Sequence, residues 1–164
     1  MTMDTSKHLL TSQYQLILDA RSRLFDYLET LDTVDFTRER SQFPLGGSVR
    51  NLLVHIANTY EAWIIKRALG RQIEFTPYVA IDRLIKVRTL FDGLNQHIQT
   101  FIQRYGDHPL DKINIDVKGT LRQSSPLELF THVTTHEFQH KGQILTLTRH
   151  LGYTPLDTDI IFFP

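Results

Sequence analysis

The sequence predicts an all-α fold, a four-helix bundle with a short β-hairpin before the last helix. Three observations carry this expectation. Four long segments repeat apolar residues at spacings of three and four, one short segment alternates instead, and a strong helix-start signal follows it. With 164 residues, 41% of them hydrophobic, the chain suits one compact domain over 1–164 and is short for two.

The first helix takes its period from Leu10, Tyr14, Ile17, Leu18, Arg21, Leu24, Phe25 and Leu28 and ends near Glu29 to Asp32. Phe36 to Gly47, with Pro44, Gly46 and Gly47, reads as a loop. Ser48 then caps a second helix through Leu52, Ile56, Trp63 and Ile64, which Gly70 stops. A third helix is predicted to start at Thr76-Pro77, with Thr as cap and Pro at the first helical position. It runs through Ile81, Leu84, Ile85, Phe91, Leu94, Ile98, Ile102 and Tyr105 and ends over Gly106 to Pro109.

Between Lys112 and Gln123 the period changes to two: Ile113, Ile115 and Val117 alternate with Asn114 and Asp116, and Lys118-Gly119 precedes Thr120-Leu121-Arg122. This is a β-hairpin pattern. Ser125-Pro126-Leu127-Glu128 then joins a Ser cap, a Pro at the first helical position and a Glu at the third, which is a capping box. The fourth helix runs from there to about Leu151, with Gly152 as C-terminal cap and Pro155 just beyond. Leu156 to Pro164 is an apolar tail expected to fold back on the bundle.

Eighteen basic residues balance eighteen acidic ones, so no net field draws the chain to nucleic acid or to an anionic membrane, and neither partner is expected. No run reaches the roughly 18 apolar residues of a membrane span, and Met1 to His8 lacks a signal-peptide pattern. A cytoplasmic location is expected. The absence of cysteine removes disulfides, thiolate ligands and a thiol nucleophile together. Any metal must be held by imidazole, carboxylate or water.

On the fourth helix Leu129, Val133, His136, His140, Ile144, Leu147 and Leu151 fall on one stripe roughly 80° wide. Two histidines therefore sit inside a core face. Spacing alone says little, because eight histidines in 164 positions give about 0.4 such pairs by chance. The face says more: two unpartnered buried imidazoles cost several kcal/mol, so they need hydrogen bonds or a cation. One helical turn, about 6 Å, lets both reach one ion with bonds of roughly 2.0–2.1 Å, which suits zinc or nickel. His55, at the edge of the second helix's apolar face, is the candidate third ligand. Three imidazoles with an open fourth position describe a catalytic type of zinc site. His132 lies at the rim of the stripe, His150 is too far along the axis, and His8, His97 and His108 read as surface residues.

His136-Glu137-Phe138-Gln139-His140 satisfies H-E-x-x-H, the zinc-protease motif. The longer motif fails, since Thr146 occupies the position of its third histidine and no glutamate follows to complete a ligand set. The plain reading of Glu137 is a helix residue paired with Lys141.

These residues resemble the DinB/YfiT-like family of metal-binding four-helix bundles. Its pattern on the second helix corresponds to Ser48-Val-Arg-Asn-Leu-Leu-Val-His55. That on the last helix corresponds to His136-Glu-Phe-Gln-His140-Lys-Gly-Gln-Ile144, and the ending Leu151-Gly-Tyr-Thr-Pro155-Leu-Asp-Thr-Asp159 is also similar. The resemblance implies that His55, His136 and His140 bind the metal. It also implies a homodimer and, in some relatives, small thiol cosubstrates such as bacillithiol or mycothiol. Leu127, Phe138 and Leu145 form a second apolar strip that fits either a dimer contact or the tail.

The function expected is that of a divalent-metal-dependent enzyme acting on a small molecule. The metal would activate either a low-molecular-weight thiol, for S-transfer in detoxification, or water, for hydrolysis. Tyr60, Trp63 and Phe43 line a pocket or belong to the plain core. The alternative is a non-catalytic, metal-stabilised stress-response or binding module, its site closed by a fourth ligand such as His132.

Overall fold

The apolar stripes become long helices. The structure, a computed structural model, describes residues 3–162 apart from Pro44 and Gly46. In chain order it contains α1 (Met3–Leu28), a short α2 (Thr33–Thr37), α3 (Val49–Tyr60), α4 (Leu84–Tyr105), the hairpin strands β1 (Ile113–Val117) and β2 (Thr120–Ser124), and α5 (Pro126–His150). The fold is all-α apart from that hairpin, and α1, α3, α4 and α5 form the bundle. Helix α3 packs on both α4 and α5, and α1 packs on α4. Tyr60, Phe91, Phe101 and Phe130 are fully buried at the centre.

The local signals behave as read at α3, the hairpin and α5. Ser48 Oγ accepts from the Asn51 amide at 3.0 Å. In α5 the capping box is complete: Glu128 N donates to Ser125 Oγ, and Ser125 N donates to the Glu128 carboxylate. Lys118 and Gly119 both have positive φ, 56° and 80°, so the hairpin closes through a two-residue turn that matches the strand twist. Gly152 ends α5 with φ 96°. The described part of the tail folds back: Thr158 O accepts from Lys141 Nζ at 2.7 Å, and a 3-10 turn (Ile160–Phe162) packs on α1.

Three expectations are corrected. The third helix starts at Leu84 rather than at Thr76-Pro77, and Tyr78–Ala80 is an isolated 3-10 turn. The Asn58 side chain binds the backbone of Thr76 in both directions, donating to its carbonyl at 3.0 Å and accepting from its amide at 3.2 Å. That ties the segment to α3 in an extended form, and Ile85, read as part of the third helix's apolar period, is exposed. The first residues of the predicted loop over 36–47 belong to α2 instead, and Phe36 is buried there. Finally, α3 does not end as an ordinary helix. It continues as a π-helix (Glu61–Ala68) whose end is marked by Leu69 N donating to Ile64 O, five residues back. Pro44 and Gly46 of that predicted loop, and Phe163 and Pro164 of the tail, lie outside the described residues.

Candidate metal centre

Antiparallel packing of α3 on α5 brings His55 opposite His136 and His140. The ring nitrogens meet tip to tip: Nε2 of His136 lies 3.2 Å from Nε2 of His55 and 3.1 Å from Nε2 of His140. The three histidines form a group whose ligand atoms lie within 4.8 Å of one another, so they could hold a metal ion. His140 is buried, and the other two are half-buried.

Neutral imidazoles alone do not satisfy this arrangement. His140 Nδ1 donates to Gln143 Oε1 at 2.7 Å, which fixes that tautomer and leaves the Nε2 lone pair facing inward. A proton on His136 Nε2 can serve only one of its two neighbours. At least one of the two contacts therefore sets like against like. His136 Nδ1 is buried without a partner, so nothing on that side of the ring compensates.

Protonation is not a remedy either. Burial, then the charges of His140, His55 and His132, hold His136 down to about 4, and burial followed by His140 lowers His55. His136 is therefore neutral near pH 7, and the lowered His55 is biased the same way, so both can present lone pairs. Bonds of about 2.0–2.1 Å place tetrahedral nitrogens about 3.3–3.4 Å apart and adjacent octahedral ones about 2.9 Å apart. Both separations at His136, 3.1 and 3.2 Å, fall between these values, and all three ligand atoms lie within 4.8 Å of one another, so the donor set fits a divalent cation.

The other predicted residues divide. His132 is exposed and does not join the group; its ring packs 4.9 Å from Trp63 and 6.1 Å from His136. Trp63 stands in the π-helical segment that continues α3 and meets His132 of α5 there. Tyr60 is fully buried rather than pocket-lining, and Phe43 contacts His150 at a centroid distance of 5.5 Å.

Glu137 is the main correction. It does not pair with Lys141, whose ammonium instead binds Thr158 O. Its carboxylate accepts from Arg21 Nε at 2.7 Å, from Arg21 Nη2 at 2.8 Å and from Tyr60 Oη at 2.6 Å. Both of its oxygens are committed to these donors, so the H-E-x-x-H glutamate is not free to act as a base at this centre. The missed residue is Arg21, 4% exposed. Its signal was present as an arginine within the apolar stripe of the first helix.

Among curated proteins no match is found. A sequence model of the DinB family matches residues 3–164. With the bundle, the hairpin before its last helix and the three-histidine group in place, the chain belongs to the DinB family.

Proposed function

We propose that this protein is a divalent-metal-dependent enzyme in which His55, His136 and His140 hold the ion and leave it an exchangeable position for a small molecule. The observation that carries the reading is the meeting of three imidazoles, with His136 Nε2 at metal-ligand spacing from the Nε2 of both His55 and His140, and with His140 preset by Gln143. Among the described residues no fourth histidine or carboxylate joins the group, which supports an exchangeable position. A bound zinc or nickel ion would supply Lewis acidity, lowering the pKa of a thiol or water held there. The chain contributes three imidazole donors and a rim formed by Trp63 and His132. With no thiol of its own, it suits activation of a low-molecular-weight thiol cosubstrate for S-transfer to an electrophile. Hydrolysis is the second reaction the same centre fits.

The closed, non-catalytic module needs a fourth protein ligand, and the packing of His132 on Trp63 gives it no support. The proposal includes a cytoplasmic location. It also includes a homodimer through the face where exposed Leu9, Leu16 and Leu110 border half-buried Leu127. Metal analysis of the purified protein, followed by a panel of small thiols with an electrophilic aromatic dye, tests the enzyme reading. Stoichiometric metal and thiol-dependent dye conversion that His136→Ala abolishes would support it. Metal-loaded protein inactive with every thiol and every ester or amide tested would count against it.

A further inference from the structure

A single buried polar network touches all four long helices. From α1 come Arg21 and Tyr14, from α3 Tyr60, from α4 Asn95 and from α5 Glu137. Arg21 Nη1 and Tyr14 Oη each donate to Asn95 Oδ1 at 2.8 Å, and Arg21 and Tyr60 close on Glu137 as described above. Arg21 and Glu137 are 4% and 6% exposed, and the guanidinium lies 4.7 Å from the centre of the Phe91 ring. Burial, then the Glu137 charge, raise the Tyr60 phenol well above its ordinary value, so it stays a donor.

The position of this network matters more than its extent. Glu137 adjoins His136 in sequence, and Tyr60 stands five residues after His55 on the same helix. The Tyr60–Glu137 hydrogen bond therefore joins the two helices that bear the triad. It does so about 100° around α5 from His136 and about 60° from His140.

We infer that Tyr60, Glu137 and Arg21 are positioning residues for the metal centre, setting the rotation of α5 against α3 so that the three Nε2 atoms converge. The inference rests on the metal-binding reading above. An imidazole tip stands roughly 6 Å from its helix axis, so rotating α5 by about 20° moves it about 2 Å. Metal bonds tolerate about 0.2 Å. Apolar packing alone permits small rotations of this kind. A bidentate ion pair with a third donor does not, because each of its bonds is directional.

The test compares metal affinity, the absorption spectrum of the cobalt(II) form and melting temperature in Tyr60→Phe, Glu137→Gln and the α4 core variant Ile98→Ala. Tyr60→Phe keeps the ring and the Arg21–Glu137 pair, so it is the variant least disturbed in folding. The inference predicts that Tyr60→Phe and Glu137→Gln each weaken metal binding about 10- to 100-fold and shift the cobalt spectrum. Ile98→Ala, with a similar loss of melting temperature, should leave affinity and spectrum unchanged. Wild-type affinity and spectrum in both network variants would overturn the inference, as would equal weakening by Ile98→Ala. A wild-type chain that binds no metal would overturn the underlying reading instead, and it would do so before any variant is made.

Discussion

His136 and Glu137 are neighbours on α5, and their surroundings are opposite. Glu137 is buried with donors on both carboxylate oxygens, two bonds from Arg21 and one from Tyr60. His136 has an orphaned Nδ1 and an Nε2 that meets two other nitrogens with no donor set able to serve both. Within one helical turn the fold satisfies one polar group fully and leaves the next unsatisfied. A buried group left short of partners is unfavourable to the chain by itself. The network is satisfied within the chain, whereas the triad is left short of partners.

If that contrast is right, breaking the two regions should have opposite consequences. The largest effect is expected at the network. Arg21→Ala leaves Glu137 buried without its countercharge and should lower stability by about 3–5 kcal/mol in urea denaturation. A loss below about 1 kcal/mol would mean that the pair is not the tie described. At the triad, zinc or nickel at about 100 times its dissociation constant should raise the stability of the wild type by about 2.7 kcal/mol. The same addition should do nothing for His136→Ala. Without metal, His136→Ala should melt at or above the wild-type temperature, because it removes a strained contact; a clear loss would show that the cluster stabilises the apo chain.

A smaller effect calibrates α5 away from both regions. Ser125→Ala removes the complete cap and should cost about 1 kcal/mol, with metal affinity unchanged. The smallest concerns Glu61, a third half-buried group whose Oε2 lacks a partner. Burial pushes it up to about 7 from an ordinary 4.5. A raised carboxyl pKa gives stability that is complete below about pH 4.5 and lost as pH rises through about 7. Glu61→Gln should therefore gain on the wild type between pH 5 and 8. After discounting for its partial exposure, the expected gain at pH 8 is roughly 2–4 °C in melting temperature. Parallel melting curves across that range would refute the assignment.

Much of the fold was legible because its signals are local. The capping box at Ser125, the Lys118-Gly119 turn and the α5 stripe each reside within a few residues and behave as chemistry alone suggests. What stayed hidden depends on distant partners. Thr76-Pro77 looks like a helix start until Asn58 takes the Thr76 backbone. A π-helix over Glu61–Ala68 has no sequence period of its own and follows from packing. Glu137 was assigned to Lys141, four residues away, while its partner is Arg21, 116 residues away. The histidines themselves were legible through their face. The meeting of His55 with them is a product of helix pairing that spacing along the chain does not contain.

The proposed centre has His55, His136 and His140 together holding one divalent ion, with a position left for a small molecule. X-ray absorption spectroscopy on the zinc- or nickel-loaded protein tests it most directly. Scattering from three imidazoles at about 2.0–2.1 Å together with at least one exchangeable light ligand is expected. A spectrum lacking imidazole scattering, or one showing a fourth imidazole and no exchangeable ligand, would contradict it.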